Sequence, residues 1–538
     1  MRKLALRDEI LLSIEKPARY IGNEVNAVMK SRDVDIRFAM CFPDVYEIGM
    51  SHLGIQILYD MFNKREDTWC ERVYSPWTDL DAVMHKEHIP LFALESQDPI
   101  KDFDFLGITI QYEMCYTNIL QILDLSGIPM MAVDRTWDDP IVIGGGPCAY
   151  NPEPLADFFD IFYIGEGEVV YDELLELFKK AKKECWSREE FLHQASHIAG
   201  IYVPSLYKVS YHEDGTIAAF EPVYDDVPKT VEKQIVMDVT NASYPKTPVV
   251  PFIKCTQDRV VLEIQRGCIR GCRFCQAGMI YRPTRERDLE MLKEYAYAML
   301  KSTGHEEISL SSLSSSDYSD LAGIVNFLID EFEKTGVNIS LPSLRIDAFS
   351  LDVMSKVQDI KKSSLTFAPE AGSQRLRNVI NKGLTEEVIL DGAGKAFDGG
   401  WNKVKLYFML GLPTETEDDM KDIAHLADKI ARRYYEIPKD QRNGKCQITV
   451  STSFFVPKPF TPFQWAPMYT KDAFLGSART VNHEMKKQKN HKSIRYNWHG
   501  ADCSFASELT SPKKYQMFSA IFCRSYPGAS TSSTLVAN

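Results

Sequence analysis

The sequence has no uninterrupted apolar run of the roughly 18 residues that a transmembrane helix requires, so we predict no membrane span. Its first residues, MRKLALRDEILLSIEKPARYIG, mix charged and apolar side chains and lack the apolar segment of a secretory signal peptide. Cysteine is scarce, with 12 in 538 residues, which excludes a small disulfide-stabilised secreted scaffold. We therefore expect a protein of the reducing cytoplasm.

The sequence also has fewer positive than negative side chains. Lys and Arg total 62 against 75 Asp and Glu, and the net charge of −13 argues against a surface that coats nucleic acid. The exception is the basic stretch Lys471–Asn497, which with Trp498 beside it could contact RNA phosphates. A solvated helix face is the simpler interpretation, so RNA is not the favoured partner.

The first third of the chain alternates short apolar runs with helical patterns. This alternation predicts βαβ units and a parallel sheet, whose ligands bind beyond the carboxyl ends of the strands. We assign residues 1–35 to an amino-terminal extension, 36–200 to a Rossmann-like (flavodoxin-like) domain, and 201–250 to a linker. The predicted strands are Ile36–Phe42, Phe105–Ile110, Pro140–Ile143 and Ile161–Ile164, and the predicted helices are His52–Phe62, Tyr116–Leu125 and Tyr171–Lys183.

A second alternating region begins at Val260. Six β/α units in about 200 residues are too few for an eight-fold barrel, which needs about 250, so residues 251–466 are predicted to form a partial (β/α)6 TIM-type barrel. Residues 467–538 are predicted to be a carboxyl-terminal extension, partly disordered because its end is rich in Ser and Thr. The strand candidates are Val260–Ile264, Ile308–Leu310, Ser343–Ile346, Ser364–Ala368, Val404–Met409 and Gln447–Phe455, and the helix candidates are Leu289–Lys301, Tyr318–Lys334, Leu351–Val357, Ser373–Ile380, Glu386–Gly399 and Thr416–Arg433.

Three cysteines lie close together just after the first barrel strand. Cys268, Cys272 and Cys275 have C-x3-C-x2-C spacing, with Phe274 before the last. The βα loop that carries them is on the face where barrel active sites lie. Three thiolates can ligate three irons of a four-iron cubane, and the fourth iron stays open because no fourth Cys follows at short range. A zinc site would want a fourth ligand, commonly from a second Cys pair, and none is nearby.

This cysteine motif resembles the signature of the radical S-adenosylmethionine (SAM) enzymes, C-x3-C-x-aromatic-C on the first loop of a partial barrel. The resemblance implies a [4Fe–4S] cluster on the three cysteines and a SAM molecule chelated by the open iron through its amino and carboxylate groups. It also implies reductive cleavage of SAM to a 5′-deoxyadenosyl radical that abstracts a substrate hydrogen. An electron donor such as flavodoxin or ferredoxin is then expected.

Sequence segments at the ends of later predicted strands extend the resemblance, and they imply contacts with SAM. A serine-rich turn stands in the place of the second-strand motif that binds the methionyl amino group, although Gly-Gly-Glu is missing. An E-A-G-S segment resembles the fourth-strand E-S-G-S near the ribose and carboxylate, and G-L-P-T-E resembles the fifth-strand G-x-P-x-E turn beside the adenine. The implied SAM-binding residues are Phe274, Ser311, Ser312, Glu370, Ser373, Gly411 and Pro413.

The amino-terminal sheet resembles the cobalamin-binding domain fused upstream of many radical SAM enzymes. Its G-G-G-P and G-E-G-E runs would let backbone approach a large flat ligand closely. A D-V-Y-E-I-G segment has the spacing of the D-x-H-x-x-G motif, but Tyr46 stands where the cobalt-ligating His would be. We therefore expect no His ligand from this motif, and we expect a capping or surface role for nearby His52. The implied cobalamin contacts are Asp44, Tyr46, Gly49, Thr109, Gly144, Gly145, Gly146, Gly165 and Glu166.

Two other functions stay open at this point. Cys41, Cys115 and Cys148 come at or after strand ends and could converge, as in the methylthiotransferases, which hold a second cluster on their amino-terminal domain and act on tRNA or protein. Free Cys are also commonly buried as small apolar residues. A non-enzymatic Fe–S redox or sensor protein would use the same cluster. The resemblance favours methylation of an unactivated carbon, and the substrate is unknown because barrel specificity lies in loop side chains.

Overall fold

The computed structural model describes residues 4–332, 335–340 and 365–501. These residues divide into two compact units: unit 1 holds 4–237 and 241–258, and unit 2 holds 238–240 and the described residues from 259 onward. The region predicted as a linker therefore belongs mainly to unit 1. The predicted strand Ser343–Ile346 and helix Leu351–Val357 lie outside the described residues. None of the described helices is long and apolar enough to cross a membrane.

Unit 1 is built on one six-stranded sheet and a separate hairpin. The strands of the sheet are β1 (Ile36–Phe42), β2 (Thr68–Tyr74), β3 (Phe105–Thr109), β4 (Ile141–Gly145), β5 (Ile161–Tyr163) and β6 (Ile201–Tyr202), and those of the hairpin are β7 (Tyr207–Tyr211) and β8 (Ile217–Pro222). The sheet order is β2-β1-β3-β4-β5-β6, with β1 to β5 parallel and β6 antiparallel to β5. This is the predicted flavodoxin-like order, whose switch point lies between β1 and β3.

Helices cover both faces of this sheet. On one face Leu123 packs in an apolar core with Leu106 of β3. On the other face Leu174 packs in a second core with Phe38 and Phe105. The helices of unit 1 are α1 (Asp8–Ser13), α2 (Tyr46–Gly49), α3 (Leu53–Lys64), α4 (Thr78–Glu87), α5 (Tyr116–Ser126), α6 (Tyr171–Glu184) and α7 (Arg188–Ala195).

The strand β2 was not predicted. All seven of its residues are buried, although two are charged. Arg72 donates to Glu24 and Glu95 at 2.7 and 2.6 Å, and Glu71 accepts from Arg37 at 2.5 Å. Buried charges are tolerated when they are paired, and apolar periodicity cannot reveal such pairing.

Unit 2 carries the barrel strands in two parallel sheets. Its strands are β9 (Val260–Glu263), β10 (Gln265–Arg266), β11 (Arg285–Glu286), β12 (Glu307–Ser311), β13 (Asn338–Ser340), β14 (Leu365–Glu370), β15 (Lys403–Leu410), β16 (Gln447–Phe454) and β17 (Ile494–Trp498). The sheet orders are β13-β12-β9 and β14-β15-β16-β17, and β10 with β11 forms a separate antiparallel pair. The α/β class with a partial TIM-type barrel is confirmed, and β17 extends its sheet beyond the predicted boundary at residue 466.

The helices of unit 2 include one that contains much of the basic stretch. The helices of this unit are α8 (Ala277–Ile280), α9 (Leu289–Thr303), α10 (Leu321–Phe332), α11 (Gln374–Val379), α12 (Glu386–Asp398), α13 (Glu417–Tyr435) and α14 (Lys471–Lys487). The helix that contains much of the basic stretch is α14. Phe474, Val481 and Met485 of α14 are buried in the core, whereas Lys486 and Lys487 are exposed. The lysines therefore lie on a solvated helix face, which is the simpler of the two interpretations.

Replacing Arg72 by Leu should destabilise unit 1 by about 3–5 kcal/mol, because two carboxylates would be left buried without a cation. Amide hydrogen exchange in β1 and β2 measures this local loss. Arg32→Leu is the control, since the Arg32 side chain is 62% exposed and pairs with Asp98 at the surface. The control should change stability by less than about 1 kcal/mol. Equal losses in the two variants would contradict the assignment.

Candidate functional site

The cysteine loop leaves β9 and is closed at its base by pairing of β10 with β11. Gly267 begins the loop with φ of +83°, and a Cβ there would lie 2.6 Å from the carbonyl oxygen of Tyr281. Only glycine accommodates this close approach without a shift of the backbone. The backbone conformation just before Cys268 is therefore fixed.

The three cysteines differ in burial. Cys272 is buried, and Cys268 and Cys275 are partly exposed. The N–H of Gly278 donates to Cys275 Sγ at 3.3 Å, an interaction of the kind that tunes Fe–S clusters. Among the described residues, no three Cys, His, Asp or Glu side chains are grouped so that they could hold one metal ion. A cubane takes each thiolate on a different iron, so it does not need the three thiolates grouped around one ion.

The cysteine loop docks against the ends of β14 and β15. Phe274 packs in an apolar cluster with Ala371 and Leu412. Ala371 belongs to the E-A-G-S segment, and Leu412 lies between Gly411 and Pro413. The structure therefore brings Phe274 together with the fourth- and fifth-strand segments that the sequence singled out.

Glu370, at the end of β14, has a partner that the sequence did not suggest. Lys382 Nζ lies 3.2 Å from Glu370 Oε1, and Glu370 has φ of +68°. Burial raises the pKa of Glu370, and the charge of Lys382 opposes that rise. Both groups act electrostatically on the pKa of Cys275, which burial raises, so they lie near the cysteine loop. Lys382 follows α11 without any motif that would have marked it.

Two other predicted SAM contacts already have protein partners. Ser373 Oγ accepts from the Leu376 N–H at 3.0 Å as the N-cap of α11, and it also bonds to Asp419. The N–H of Gly411 donates to Glu415 Oε2 at 2.7 Å. Burial raises the pKa of Glu415 to about 8, so this carboxyl is largely protonated at neutral pH.

The serine turn after β12 is also bonded internally. Ser312 Oγ accepts from the Ser314 N–H at 3.1 Å and shares a hydrogen bond with Ser315 Oγ at 3.1 Å. Ser311, the last residue of β12, pairs with Glu263 of β9. Ser311 and Ser312 thus lie at the carboxyl end of β12, beside the end of β9, but the Ser312 hydroxyl is already engaged.

In unit 1, three loops meet at the carboxyl edge around the switch point. The Tyr112 hydroxyl bonds to Asp44, which joins the loops after β3 and β1. Gln111 Nε2 donates to Thr109 Oγ1 at 2.6 Å. A Cβ on Gly146 would lie 3.0 Å from Gln111 Nε2, so the loop after β4 lies here too. Doubly wound sheets bind ligands at this position.

The three glycines after β4 have different roles. No described atom lies within 4 Å of a Cβ built on Gly145, whereas a Cβ on Gly144 would lie 2.7 Å from the Phe162 ring. Gly146 has φ of +95°, which favours glycine whatever lies beside it. Gly145 is therefore the position in this run where a flat ligand could approach the backbone.

Tyr46 and Gly49 lie in the interior of unit 1. The Tyr46 hydroxyl donates to Glu24 at 2.9 Å in the ion network of Arg72. A Cβ on Gly49 would lie 2.2 Å from the Tyr74 ring, so this glycine is needed for packing. Tyr46 and Gly49 are therefore packed in the interior of unit 1, and they do not share an open surface with Asp44, Thr109 and Gly145.

Gly165 and Glu166 hold residues 234–236 of their own chain. Gly165 forms a β-bridge with Gln234, and a Cβ on Gly165 would lie 2.4 Å from the Gln234 carbonyl oxygen. The Glu166 N–H donates to Gln234 at 3.0 Å, and Val236 N–H donates to Glu166 Oε2 at 2.8 Å. The chain after β8, rather than empty space, thus lies against this glycine.

His52 is the N-cap of α3, as predicted. Its Nδ1 accepts from the Ile55 N–H at 3.2 Å. Burial lowers the pKa of His52 to about 4, so the ring is neutral at pH 7. With Nδ1 accepting, the remaining ring proton is on Nε2.

The cysteines proposed for a second cluster lie in one apolar core of unit 1. Cys41, Cys115 and Cys148 are all buried there. Burial raises the pKa of Cys41, and it raises that of Cys115 to about 12. The thiolate is the metal-binding form, so these thiols behave as small apolar residues.

Comparison with known proteins agrees with this geometry. Residues 54–204 match the family described as radical SAM proteins, N-terminal, and residues 262–427 match the radical SAM superfamily. An uncharacterised protein of Methanocaldococcus jannaschii is 32% identical over 429 residues, which cover 79% of this chain and 78% of that one. A protein of the same archaeon, provisionally named a methylthiotransferase, is 30% identical over 167 residues, or 30% of this chain and 37% of that one.

Among solved structures, the cobalamin-dependent SAM radical enzyme OxsB, with aqua-cobalamin and SAM bound, has a similar fold. The TM-score is 0.52 at 14% identity, with 92% of this chain and 61% of that chain covered. The likeness extends over both units. The matched families and the archaeal relative show that the chain belongs to the radical SAM superfamily.

Proposed function

We propose that this chain is a cobalamin-dependent radical SAM methyltransferase that methylates an unactivated carbon. The observation that carries the cobalamin assignment is the carboxyl edge of unit 1, where three switch-point loops meet and no described atom lies within 4 Å of a Cβ built on Gly145. The radical chemistry rests on the cysteine loop after β9. When bound, the cluster and SAM supply hydrogen-atom abstraction, and cobalamin supplies a methyl carrier.

In unit 2 we place SAM between the cysteine loop and the ends of β14 and β15. Phe274 seats the loop on those strand ends, so the cluster and the SAM residues keep a fixed spacing. Glu370, held by Lys382, would accept from the ribose hydroxyls, as the resembled motif implies. Gly411 and Pro413 would frame the adenine.

In unit 1 we propose that cobalamin binds without a His ligand. His52 uses Nδ1 as a helix cap and carries its proton on Nε2, so neither nitrogen is available as it stands. Tyr46 is engaged with Glu24 in the interior. OxsB, which shares the fold, holds both cofactors in one chain, and this supports their pairing here.

Methylthio transfer to tRNA or protein is the second candidate function. The archaeal relative named provisionally for that reaction favours it. It would require a second cluster, and the burial of Cys41, Cys115 and Cys148 in an apolar core argues against one. In either case a one-electron donor such as flavodoxin or ferredoxin is the proposed partner, in the cytoplasm.

Single changes of Cys268, Cys272 or Cys275 to Ala should abolish the cluster, because three thiolates are the minimum that holds it. We expect about four iron atoms per wild-type chain after anaerobic reconstitution, and 5′-deoxyadenosine formation that each variant loses. Cobalamin binding should persist. Cys446→Ala, a buried cysteine of the unit 2 core, is the control and should keep its iron. About eight iron atoms per wild-type chain would instead favour methylthio transfer.

Gly145→Val should abolish cobalamin binding and leave the thermal unfolding midpoint unchanged. The added side chain would enter space that is free of described atoms, so it blocks a ligand without straining the protein. Binding is measured by corrin absorbance after gel filtration. Retention of cobalamin by the folded variant would place the ligand elsewhere.

His52→Ala is the matched test of cobalt ligation in the same unit. We expect it to bind cobalamin with the absorbance spectrum of the wild type, which should itself be that of a form without His ligation. A spectrum that changes from His-ligated to unligated in the variant would refute the proposal.

A further inference from the structure

The sheet β14-β15-β16-β17 of unit 2 has two faces of opposite character. On one face, side chains such as Leu406 and Val450 pack in an apolar core with helices α12, α13 and α14. Because the helices of a TIM-type barrel lie outside its strands, the opposite face is the inner face of the barrel. Successive side chains alternate between the two faces of a strand. The polar side chains on the inner face are Lys405, Tyr407, Thr449, Ser451, Arg495 and Asn497.

This inner face differs from the interior of a closed barrel. Closed TIM barrels fill their interior with layers of bulky, branched apolar side chains. Here the six side chains are polar, and all of them except Ser451 are at least partly exposed. None of the six forms a hydrogen bond through its side chain within the described part of the chain. Their polar groups are therefore available to a ligand.

Two cations lie in one row across this face. The register pairs Lys405 with Thr449 and Thr449 with Arg495, so the two cations stand on either side of Thr449. Neighbouring strands are about 4.8 Å apart, so the two backbones are roughly 10 Å apart, and the two long side chains can reach one group between them. Lys405 Nζ lies 4.7 Å from the centroid of the Tyr407 ring. Among the described residues, neither Lys405 nor Arg495 forms an ion pair.

Each carboxylate on the described strands of the two parallel sheets of unit 2 already pairs with a cation. The pairs are Glu263 with Arg266 and Arg287, Glu307 with Arg259, and Glu370 with Lys382. The unpaired charge on the inner face is therefore positive, which attracts an anion. An Arg side chain can bind a carboxylate or a phosphate through two parallel hydrogen bonds.

The inner face continues to the cysteine loop. Met409, at the carboxyl end of this face, packs against the apolar cluster that Phe274 also contacts. A strand rises about 3.3 Å per residue, so Lys405 lies roughly 13 Å from Met409 along β15. The row between them consists of Tyr407, Ser451 and Asn497. A molecule that contacts all of these rows would have an anionic end and a neutral body that forms hydrogen bonds.

We propose that this inner face binds the substrate, and that the substrate is a small molecule with an anionic end. Lys405 and Arg495 would hold a carboxylate or a phosphate, and the neutral row would bind the middle of the molecule. The carbon to be methylated would then lie near Met409, roughly 13 Å from the anion. This inference rests on the proposed function, and it adds a substrate class that the fold alone does not supply.

Inorganic phosphate is the probe for the anionic end. In equilibrium dialysis of the cluster-loaded protein, Lys405→Met and Arg495→Met should each weaken phosphate binding about ten-fold, because each removes one charge-assisted contact. Lys405→Arg should keep most of the affinity, because it keeps the charge. Lys395→Met is the matched control and should bind as the wild type does, since Lys395 is on the outer helix α12, is 49% exposed and pairs with Asp391.

Competition with acetate separates the two sources of the anion. If acetate displaces phosphate from the wild type, the site accepts carboxylates as well. If it does not, the substrate class narrows to phosphoryl compounds. Both results support an anionic end, whereas equal phosphate binding by the wild type and by both Met variants would overturn it. If Lys405→Met does not fold, Arg495→Met on the edge strand β17 decides the matter.

Formation of 5′-deoxyadenosine separates this inference from the proposed function. If cluster-loaded wild-type protein cleaves no SAM, the proposed function fails. If it cleaves SAM but phosphate binds without dependence on Lys405 and Arg495, only the substrate class fails.

Discussion

The geometry of unit 2 depends on one constraint: three cysteines within eight residues must be held in place if, as proposed, their thiolates ligate a cluster that keeps one iron open. The chain meets this by closing the loop at its base through β10 and β11, with Gly267 where only glycine fits. Phe274 then seats the loop on two other strand ends. The parallel barrel matters because it delivers strand ends that are distant in sequence to one edge, where they can surround the fourth iron.

How far the sequence predicts the fold depends on what holds each strand. Ile36–Phe42 was predicted with its observed bounds, because its apolar side chains are buried on both faces. The strand β2 was missed because Glu71 and Arg72 interrupt the apolar pattern, and both are buried only because remote residues neutralise them. The last strand, β17, was missed because it is short and none of its side chains is fully buried, so its position depends on pairing with β16. Periodicity records the burial of apolar groups, and it carries no information on charge pairs between distant segments.

Glycines of the candidate site show a similar limit of prediction from sequence. A run such as G-G-G predicts close approach by something, and only the structure says by what. Gly144 faces the Phe162 ring, Gly165 faces the backbone of Gln234, and the Cβ position of Gly145 has no described atom within 4 Å. The first two are needed by the protein itself, so their presence says nothing about cobalamin. Of these three, Gly145 is the one whose Cβ position has room for a ligand among the described residues, and sequence alone cannot separate it from the others.

The hydrogen-bond partners of the polar site residues determine how much each residue could contribute to ligand binding. Ser373 and Ser312, which the family resemblance implies, already bond within the protein, so a ligand must replace those partners and gains little from them. These two motif serines are therefore expected to hold the frame of the site rather than to supply much of its binding energy.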